Sequence, residues 1–594
     1  MFLLWIVFLV HPPARAEFVR MEVAGRGDAA GYERVNGKAY FAVDPKHRLN
    51  RNITDIELAV RNPRSKVEFS ADFHILRPKS GGNGMLLFEA SNRGGRGLQG
   101  TFNRGRGDEF LLHQGYTLVW LGWQHDVSRA GEGLKLYVPA AKGVKGPVRA
   151  EYVPNQPSKR MPLGDARHDA YTIGDPSTIR LTVRDTMLGP RRGVTGWRIE
   201  KSSLVLDAGF EPGKLYDAIY ESQDPPLAML GLAGIRDFLS HLRTTEQARF
   251  VLGFGSSQSA MLLRALLYHG FNEDESGKRV FDGILANIAG GRRSFLGRFA
   301  QPSRTAAPLR GMFYRTDEFP FADQPQKDPV TGVTDGVLAH LAPAMIPKIF
   351  YTNSAYEYWG SSGSLIHTAV DGKSDAALPP STRTYMFAGG QHGPSAFPPN
   401  RGNSQNMTSP NDYRWSLRAL LLALTAWVAE GKTPPASRYP KIADGTLVPV
   451  AKLRKVHGIP QPDHQHPSFR IIGASEPPQI GEVYGALVPQ VDADGNDIAG
   501  VRMPEVAVPL ATYTGWNLRA AAIGQPSELA GGAGSFLPFS PAKILERYGS
   551  EEKYFERWDA AARKLVEGGY LLDGDVNELR KAAKLRWLWA LNQK

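Results

Sequence analysis

Apolar and polar residues follow two different patterns along this chain, and the change between them predicts its architecture. Near the start they alternate over Phe18–Val23, Ala39–Val43 and Val67–Leu76. Alternation with a period of two is typical of half-buried strands. Because turn-forming residues such as Asn36-Gly37 stand between these segments, we expect the chain to begin with antiparallel strands.

Continuous apolar runs replace this alternation further along, and several of them lead into glycine. They are Met85–Glu89, Tyr116–Trp123, Ala248–Leu252, Phe281–Ile288, Pro347–Asn353 and Thr382–Ala388. Helical patterns accompany them at Leu227–Leu242, in the segment that ends at His269, and at Pro410–Glu430, which Thr408-Ser409 are expected to cap. Strands that are apolar throughout, combined with helices, indicate a buried α/β core.

Two other regions interrupt or extend this core. Short alternating strands among Pro-, Gly- and Arg-rich turns predict a β-rich insertion that acts as a cap. The C-terminal extension has a β-like part and helices near Pro541–Tyr548, Glu551–Glu567 and Val576–Trp589. The predicted organisation is a signal peptide (1–16), N-terminal strands with the first half of the core (17–126), the insertion (127–225), the second half of the core (226–435) and a mixed α/β extension (436–594).

The N-terminus has the features of an export signal. Phe2–Val10 is an uncharged apolar run too short to span a bilayer, and Ala14-Arg15-Ala16 follows it as a cleavage pattern. We therefore expect cleavage before Glu17 and a periplasmic or secreted protein. Since no other stretch reaches about 18 apolar residues, we expect no stable membrane insertion.

The amino-acid composition limits the kinds of active site and partner that this chain can have. The chain of 594 residues has no cysteine, which excludes thiol nucleophiles, thiolate zinc sites and disulfides. Its 71 Lys and Arg against 59 Asp and Glu give a net charge of +12 without long basic runs, so we expect no nucleic-acid partner. No motif indicates a metal or another cofactor, and we expect none.

A candidate nucleophile lies where the central apolar strand turns into a helix. There the chain reads Gly255-x-Ser257-x-Ser259, a variant of the G-x-S-x-G nucleophile elbow. Small residues are needed because the nucleophile occupies a strained turn packed against its neighbours. Ser257 is then exposed at the helix N-terminus, and the backbone N–H of Gln258 points toward the position of an oxyanion.

A second oxyanion donor is expected in the glycine-rich loop that follows the strand Met85–Glu89. The loop reads Asn92-Arg93-Gly94-Gly95-Arg96-Gly97, and a backbone N–H near Arg93 or Gly94 is suited to that role. A phosphate-binding loop is excluded because no G-K-[ST] follows and the G-x-G-x-x-G spacing is not met.

A candidate acid and a candidate base follow the next strands in chain order. Glu357 comes soon after the strand Pro347–Asn353, and His392 follows the strand Thr382–Ala388. Nucleophile, acid and histidine in this order are typical of the α/β-hydrolase fold. His367 and His125 remain alternatives to His392, and Asp371 and Asp375 remain alternatives to Glu357.

These residues resemble a known family, the large bacterial α/β hydrolase domain-containing proteins, which are related in fold to secreted esterases. The matching stretches are Asn92-Arg93-Gly94-Gly95, Gly122-Trp123-Gln124, Gly255-x-Ser257-Gln258-Ser259, Gly270-Phe271-Asn272, Phe281-Asp282-Gly283, Glu357-Tyr358-Trp359, Ala388-Gly389-x-x-His392-Gly393 and Thr514-Gly515-Trp516-Asn517-Leu518-Arg519. Where the family pattern carries Gly-Arg after Ser-Gln-Ser, this chain has Ala260 and Met261.

The resemblance implies a serine hydrolase that acts on carboxylic esters. With Ser257 as nucleophile, His392 as base and Glu357 as its partner, the reaction passes through an acyl-enzyme. The expected partner is a small-molecule or polymer-derived ester. Two other functions stay open: an acyltransferase with the same three residues, and a secreted binding protein without catalysis.

Overall fold

A ten-stranded mixed sheet lies at the centre of the protein in the computed structural model. The structure describes residues 18–103, 108–128, 133–165, 167–305, 309, 315–456, 458–473 and 475–593. The predicted signal peptide, residues 1–16, lies outside the described residues. The strands of the sheet are β1 (Phe18–Ala29), β2 (Tyr32–Val43), β3 (Val67–Pro78), β4 (Met85–Ala90), β5 (Thr117–Leu121), β6 (Leu136–Tyr137), β7 (Phe250–Ser256), β8 (Gly283–Asn287), β9 (Lys348–Ser354) and β10 (Thr382–Phe387).

The order of the strands across the sheet is β1-β2-β3-β5-β4-β7-β8-β9-β10, with β6 beside β3. The pairs from β1 to β5 along this order are antiparallel, and the pairs from β5 to β10 are parallel. Every residue of β4 and β8 is buried, as expected for parallel strands covered on both faces. The predicted antiparallel entry and α/β core are both present.

The first hairpin turns at a different place from the one predicted. Its two turn residues are Ala30 and Gly31, with φ of 44° and 81°, which is the left-handed backbone that a two-residue hairpin turn requires. Asn36-Gly37 lies inside β2 instead. Gly37 pairs with Val23, and a Cβ on it would lie 1.9 Å from the carbonyl oxygen of Glu22. This glycine therefore permits close approach of two strands and does not form a turn.

Helices cover both faces of the sheet. Their bounds are α1 (Leu98–Phe102), α2 (Phe110–His113), α3 (Leu230–Thr245), α4 (Gln258–Tyr268), α5 (Ala355–Gly360), α6 (Arg414–Glu430), α7 (Pro504–Ala507), α8 (Pro541–Tyr548), α9 (Glu551–Glu567) and α10 (Val576–Leu591). Apolar residues of α3 and α4 form one core with one face of the sheet. Those of α6 and α8 to α10 form a second core with the other face. No helix of the described residues has the length and apolar character needed to cross a bilayer.

Helix α6 begins later than predicted. Its N-cap residue is Tyr413, because Thr408 and Ser409 are engaged elsewhere. Thr408 belongs to a short strand that pairs with Ser535 of the C-terminal extension. Ser409 donates its hydroxyl to the carbonyl oxygen of Gly389 at 3.0 Å, so this predicted cap supports the loop after β10.

The region predicted as an insertion contains two small antiparallel sheets. One consists of Arg192–Gly193, Arg180–Arg184, Leu215–Gln223 and Lys145–Tyr152, and the other of Trp197–Glu200, Ser203–Phe210 and Ser158–Pro162. They enclose a hydrophobic cluster of their own. Strand β6 lies within the range 127–225 but pairs with β3 of the main sheet.

The C-terminal extension contributes further small sheets besides its helices. They pair Leu447–Val448 with Val488–Pro489, Phe469–Gly473 with Gln479–Val483, and Ser535–Pro538 with both Ala511–Tyr513 and Met407–Thr408. The last of these sheets joins the extension to the segment between β10 and α6.

Candidate active site

The predicted elbow is present as strand, turn and helix. Strand β7 ends at Ser256, Ser257 has φ 59° and ψ −121°, and α4 begins at the next residue. The backbone N–H of Ser257 donates to the carbonyl oxygen of Asn287 at 2.8 Å. A Cβ on Gly255 would lie 2.5 Å from the carbonyl oxygen of Ser259, so strand and helix approach too closely for any residue but glycine. This strained turn presents the Ser257 hydroxyl at the helix N-terminus.

His392 lies within hydrogen-bonding distance of Ser257. The His392 Nε2 atom is 2.8 Å from Ser257 Oγ. The loop after β10 that carries the histidine is held from two sides, since the His392 N–H donates to Gly532 O at 3.0 Å and the Tyr413 hydroxyl donates to His392 O at 2.7 Å. The ring of Tyr356 meets the imidazole edge-on, with centroids 5.9 Å apart.

Glu357 completes a chain of contacts behind the histidine. Its Oε1 atom is 2.5 Å from His392 Nδ1, and its side chain is fully buried. Glu357 is in the first turn of α5, where Ser354 forms a capping box with it: Oε2 accepts hydrogen bonds from both the backbone N–H and the hydroxyl of Ser354. The carboxylate is therefore fixed by the start of the helix and directs one oxygen to the imidazole.

The two alternative histidines lie elsewhere. His367 Nε2 is 2.9 Å from the hydroxyl of Tyr358, and His125 Nε2 is 3.3 Å from the carbonyl oxygen of Ala300. Burial lowers the pKa of each of these histidines to about 4. Neither side chain contacts Ser257 in the described part of the chain.

The two alternative acids are also directed away from the histidine. Asp371 accepts a hydrogen bond from the N–H of Lys373, at 3.1 Å. Asp375 accepts from the N–H groups of residues 442 and 443, each at 2.9 Å. Asp371 stabilises its own loop, Asp375 connects its loop to residues 442–443, and neither carboxylate reaches His392.

The predicted oxyanion residues separate into two groups. Gln258 and Arg93 line one cavity with Ser257 and His392. The N–H of Gln258 is at the first position of α4 and has no acceptor among the described residues. Gly94 does not line this cavity, because its carbonyl oxygen accepts a hydrogen bond from Leu134 on the other side of the loop.

The loop that carries Arg93 is anchored by a buried acid that the sequence analysis did not single out. Asn92 and Gly95 exchange two backbone hydrogen bonds around the turn. Just beyond it, Glu89 at the end of β4 accepts hydrogen bonds from the N–H groups of residues 97 and 98. Burial raises the pKa of Glu89 to about 7. A glutamate inside an otherwise apolar strand was the available signal for this role.

The cavity at Ser257 has a volume of about 270 Å³. Besides the predicted residues, Arg292, Arg304 and Gly532 contribute to its wall. Arg292 follows the glycine pair after β8, next to the elbow strand, and that position was the available signal. No feature of the sequence indicated that Gly532 lines the cavity, since it lies 140 residues beyond His392 in a region with no recognisable motif.

Comparison with known structures gives weak similarities. They include acetyl xylan esterase 1 from Thermoanaerobacterium sp. JW/SL YS485, at 12% identity over 45% of this chain and 52% of that chain, with a TM-score of 0.19. The rice cell wall degrading esterase LipA from Xanthomonas oryzae matches at 11% identity over 46% of this chain and 50% of its own, with a TM-score of 0.19. This chain thus spans about half the length of both proteins.

A third structure is an S-formylglutathione hydrolase from Agrobacterium tumefaciens, at 10% identity over 62% of this chain and 91% of that chain, with a TM-score of 0.19. Comparison with curated protein sequences gives no match.

A family model described as "Alpha/beta hydrolase domain" matches residues 232–581, more than half of the chain. The matched range contains Ser257, Glu357 and His392 and continues to residue 581 within the C-terminal extension. The match agrees with the order of the sheet and with the elbow, and the chain belongs to the alpha/beta hydrolase domain family.

Proposed function

We propose that the protein is a serine hydrolase that cleaves a carboxylic ester through an acyl-enzyme. The observation that carries this proposal is that His392 contacts Ser257 through Nε2, at 2.8 Å, and Glu357 through Nδ1, at 2.5 Å. Ser257 and His392 line a cavity of about 270 Å³. In other folds the same arrangement activates a serine hydroxyl for attack on a carbonyl carbon.

The chemistry runs in two balanced halves. Ser257 Oγ attacks the ester carbonyl while its proton passes to His392 Nε2, and the same proton is then delivered to the departing alcohol. Water attacks the resulting acyl-serine and loses a proton to His392 Nε2, which returns it to Ser257 Oγ as the bond to the acyl group breaks and the acid leaves. Glu357 keeps Nδ1 protonated throughout and stabilises the positive charge that forms on the imidazole.

The tetrahedral intermediates carry a negative oxygen that needs donors. The Gln258 N–H at the start of α4 and the Arg93 N–H in the loop after β4 are the candidates that line the cavity. Each donor of this kind contributes about 3 kcal/mol of transition-state stabilisation. The positive end of the α4 dipole favours the same charge.

The test is covalent labelling combined with turnover. The purified protein should react with a fluorophosphonate and hydrolyse at least one member of a series of chromogenic esters of different acyl lengths. Ser257→Ala should lose both properties while its circular dichroism spectrum stays unchanged. Ser256→Ala is the matched control, because the Ser256 hydroxyl contacts Asn287 and not the histidine. Full turnover by Ser257→Ala, without labelling of the natural protein, would refute the proposal.

We also propose export to the periplasm or the medium. This proposal rests on the apolar run Phe2–Val10 and the cleavage pattern Ala14-Arg15-Ala16.

A further inference from the structure

The cavity at Ser257 has a wall rich in positive charge. Arg93, Arg292 and Arg304 all line it, and none of its described lining residues is a carboxylate. Guanidinium groups are charged at every physiological pH. A cavity that holds only a neutral ester needs no such lining, so each arginine serves either the structure of the wall or the binding of a ligand.

Arg304 has such a role. Its Nη2 atom forms a salt bridge with Glu151, a buried residue that also contacts Arg149 at 3.6 Å. Both partners lie outside the cavity lining. Arg304 therefore connects the cavity wall to strand Lys145–Tyr152 of the small four-stranded sheet.

Arg93 is held differently, by neutral oxygen atoms. Its guanidinium donates to Ser303 O at 2.8 Å, Arg304 O at 3.2 Å and Asn92 Oδ1 at 3.0 Å. No carboxylate among the described residues forms a salt bridge with it. Burial lowers the pKa of Arg93, and the nearby carboxylates of Asp165 and Asp126 oppose that shift.

Arg292 leaves most of its donors unused. Its Nε atom donates a hydrogen bond of 2.6 Å to Asp317 Oδ1, and the side chain is just 12% exposed. Neither terminal nitrogen donates to an acceptor in the part of the chain that the structure describes. Burial opposes its charge, but the neighbouring Asp317 carboxylate raises the pKa of Arg292 overall. A nearly buried cation with both terminal nitrogens unused is suited to bind an anion.

The remainder of the cavity suits a short apolar chain. Met261, Ile288 and Phe295 line it along with the arginines. The volume of about 270 Å³ limits the group it holds to a small one.

We propose that the ester substrate carries a carboxylate, which Arg292 binds through its two terminal nitrogens while the ester carbonyl lies at Ser257. This inference rests on the proposed function and specifies its substrate class. A carboxylate matches the planar fork of a guanidinium with two parallel hydrogen bonds. Arg93 adds positive charge next to the same space. The carboxylate belongs either to the acyl part of the ester or to its alcohol part.

Two pairs of esters test this, each pair differing only in one charge. Monomethyl adipate is compared with the methyl ester of adipamic acid, which places a carboxylate or its neutral amide on the acyl part. 3-Carboxyphenyl butyrate is compared with 3-carbamoylphenyl butyrate, which places them on the alcohol part. The measured quantity is the ratio of kcat/KM for the charged and the neutral ester within one protein, so a general loss of activity cancels.

The natural protein should prefer the charged member of at least one pair by about tenfold or more, as expected for a charge-assisted hydrogen-bonded pair. Arg292→Gln should bring that ratio close to one, and Arg292→Lys should keep part of the preference. Arg298→Gln is the matched control, because Arg298 is in the same loop but is 56% exposed and paired with Asp55. Its ratio should equal that of the natural protein.

Failure of this inference is distinguishable from failure of the proposed function. If the neutral esters are hydrolysed in a Ser257-dependent manner without any preference for charge, the anion site is refuted and the hydrolase stands. A preference that survives in Arg292→Gln also refutes it.

A binding measurement decides the inference independently of turnover. Calorimetry should show that adipate binds to the Ser257→Ala protein, and that adding Arg292→Gln weakens this binding about tenfold. Neutral adipamide should bind equally weakly to both proteins. Absence of adipate binding would refute the anion site, even in a protein that hydrolyses esters.

Discussion

Replacing Glu357 by glutamine tests the contact on which the proposed mechanism depends most. The change preserves the shape of the side chain but removes its negative charge. In the natural protein one oxygen faces His392 Nδ1 at 2.5 Å, and the other accepts from the backbone N–H of Ser354 at 2.9 Å. An amide has only one oxygen, so it cannot accept at both positions.

Each orientation of the amide has a cost. If its oxygen faces the imidazole, its NH2 group faces the N–H of Ser354, and two donors meet in a buried site. If its NH2 group faces His392 Nδ1, the imidazole must carry its proton on Nε2. That tautomer cannot accept the proton of Ser257.

The size of the effect can be worked from the contact distance. For a carboxylate and an imidazolium at 2.5 Å, an effective dielectric constant of about 20 gives an attraction of roughly 6 to 7 kcal/mol. The attraction exists only once His392 is protonated, so it lowers the energy of the transition state and not that of the resting enzyme. Loss of a comparable carboxylate lowers kcat by about 10⁴, or roughly 5 kcal/mol. The two estimates agree within about 2 kcal/mol.

The assay is steady-state hydrolysis of the best ester from the chromogenic series, with urea unfolding of each variant as a check on the fold. Glu357→Gln should lower kcat by about 10⁴ with little change in KM. Its unfolding midpoint should stay close to that of the natural protein, because the orientation with NH2 toward His392 Nδ1 keeps both buried hydrogen bonds. Asp371→Asn and Asp375→Asn are the controls, since neither carboxylate reaches His392. If one of these controls abolished turnover while Glu357→Gln stayed within a few-fold, the acid would have to be reassigned, although the elbow at Ser257 would stand.

Three more predictions concern the elbow, a buried aspartate and the N-terminus. Gly255→Ala should abolish activity and lower the Tm, because the added methyl group would lie 2.5 Å from the Ser259 carbonyl oxygen. Gly100→Ala is the control and should change neither quantity, because a methyl group on Gly100 would have no neighbouring atom within 4 Å. Burial raises the pKa of Asp497 to about 7, above its unfolded value, so this carboxyl favours folding at low pH, and a few kcal/mol are lost as the pH rises through 7. Asp497→Asn should therefore reduce the fall in Tm between about pH 5 and pH 8, and an unchanged fall would contradict the assignment. N-terminal sequencing of the exported protein should begin at Glu17, and a cytoplasmic product that retains the first 16 residues would exclude export.

Short-range patterns were sufficient for the elements that carry the candidate site. The apolar run before Gly255, the small residues around Ser257 and the helical segment after it predict strand, turn and helix correctly. Such features depend on contacts between residues close in the chain, so the local pattern contains the information. The start of α6 was missed for the opposite reason, because Thr408 and Ser409 bond to residues distant in the chain and local capping rules do not apply to them.

Assignment of partners across the chain required the tertiary structure. The sequence favoured Glu357 and His392 but left two histidines and two aspartates open as alternatives, because chain order does not say which side chains point into a shared space. The parallel order β7-β8-β9-β10 brings the carboxyl ends of these strands to one edge. Only there do Ser257, Glu357 and His392 meet.

The sequence by itself therefore determined the class of the fold, the nucleophile turn and the order of the three candidate residues. The tertiary structure alone decided that Arg93 and not Gly94 faces the cavity, that Gly532 supports His392, and that Arg292 lines the cavity of Ser257 with no acceptor for its terminal nitrogens among the described residues. The physical reason is the range of the interactions involved. Backbone preferences act over a few residues, so local sequence patterns reveal them. A cavity wall is formed by segments that lie up to hundreds of residues apart, and their contact depends on how the whole sheet packs.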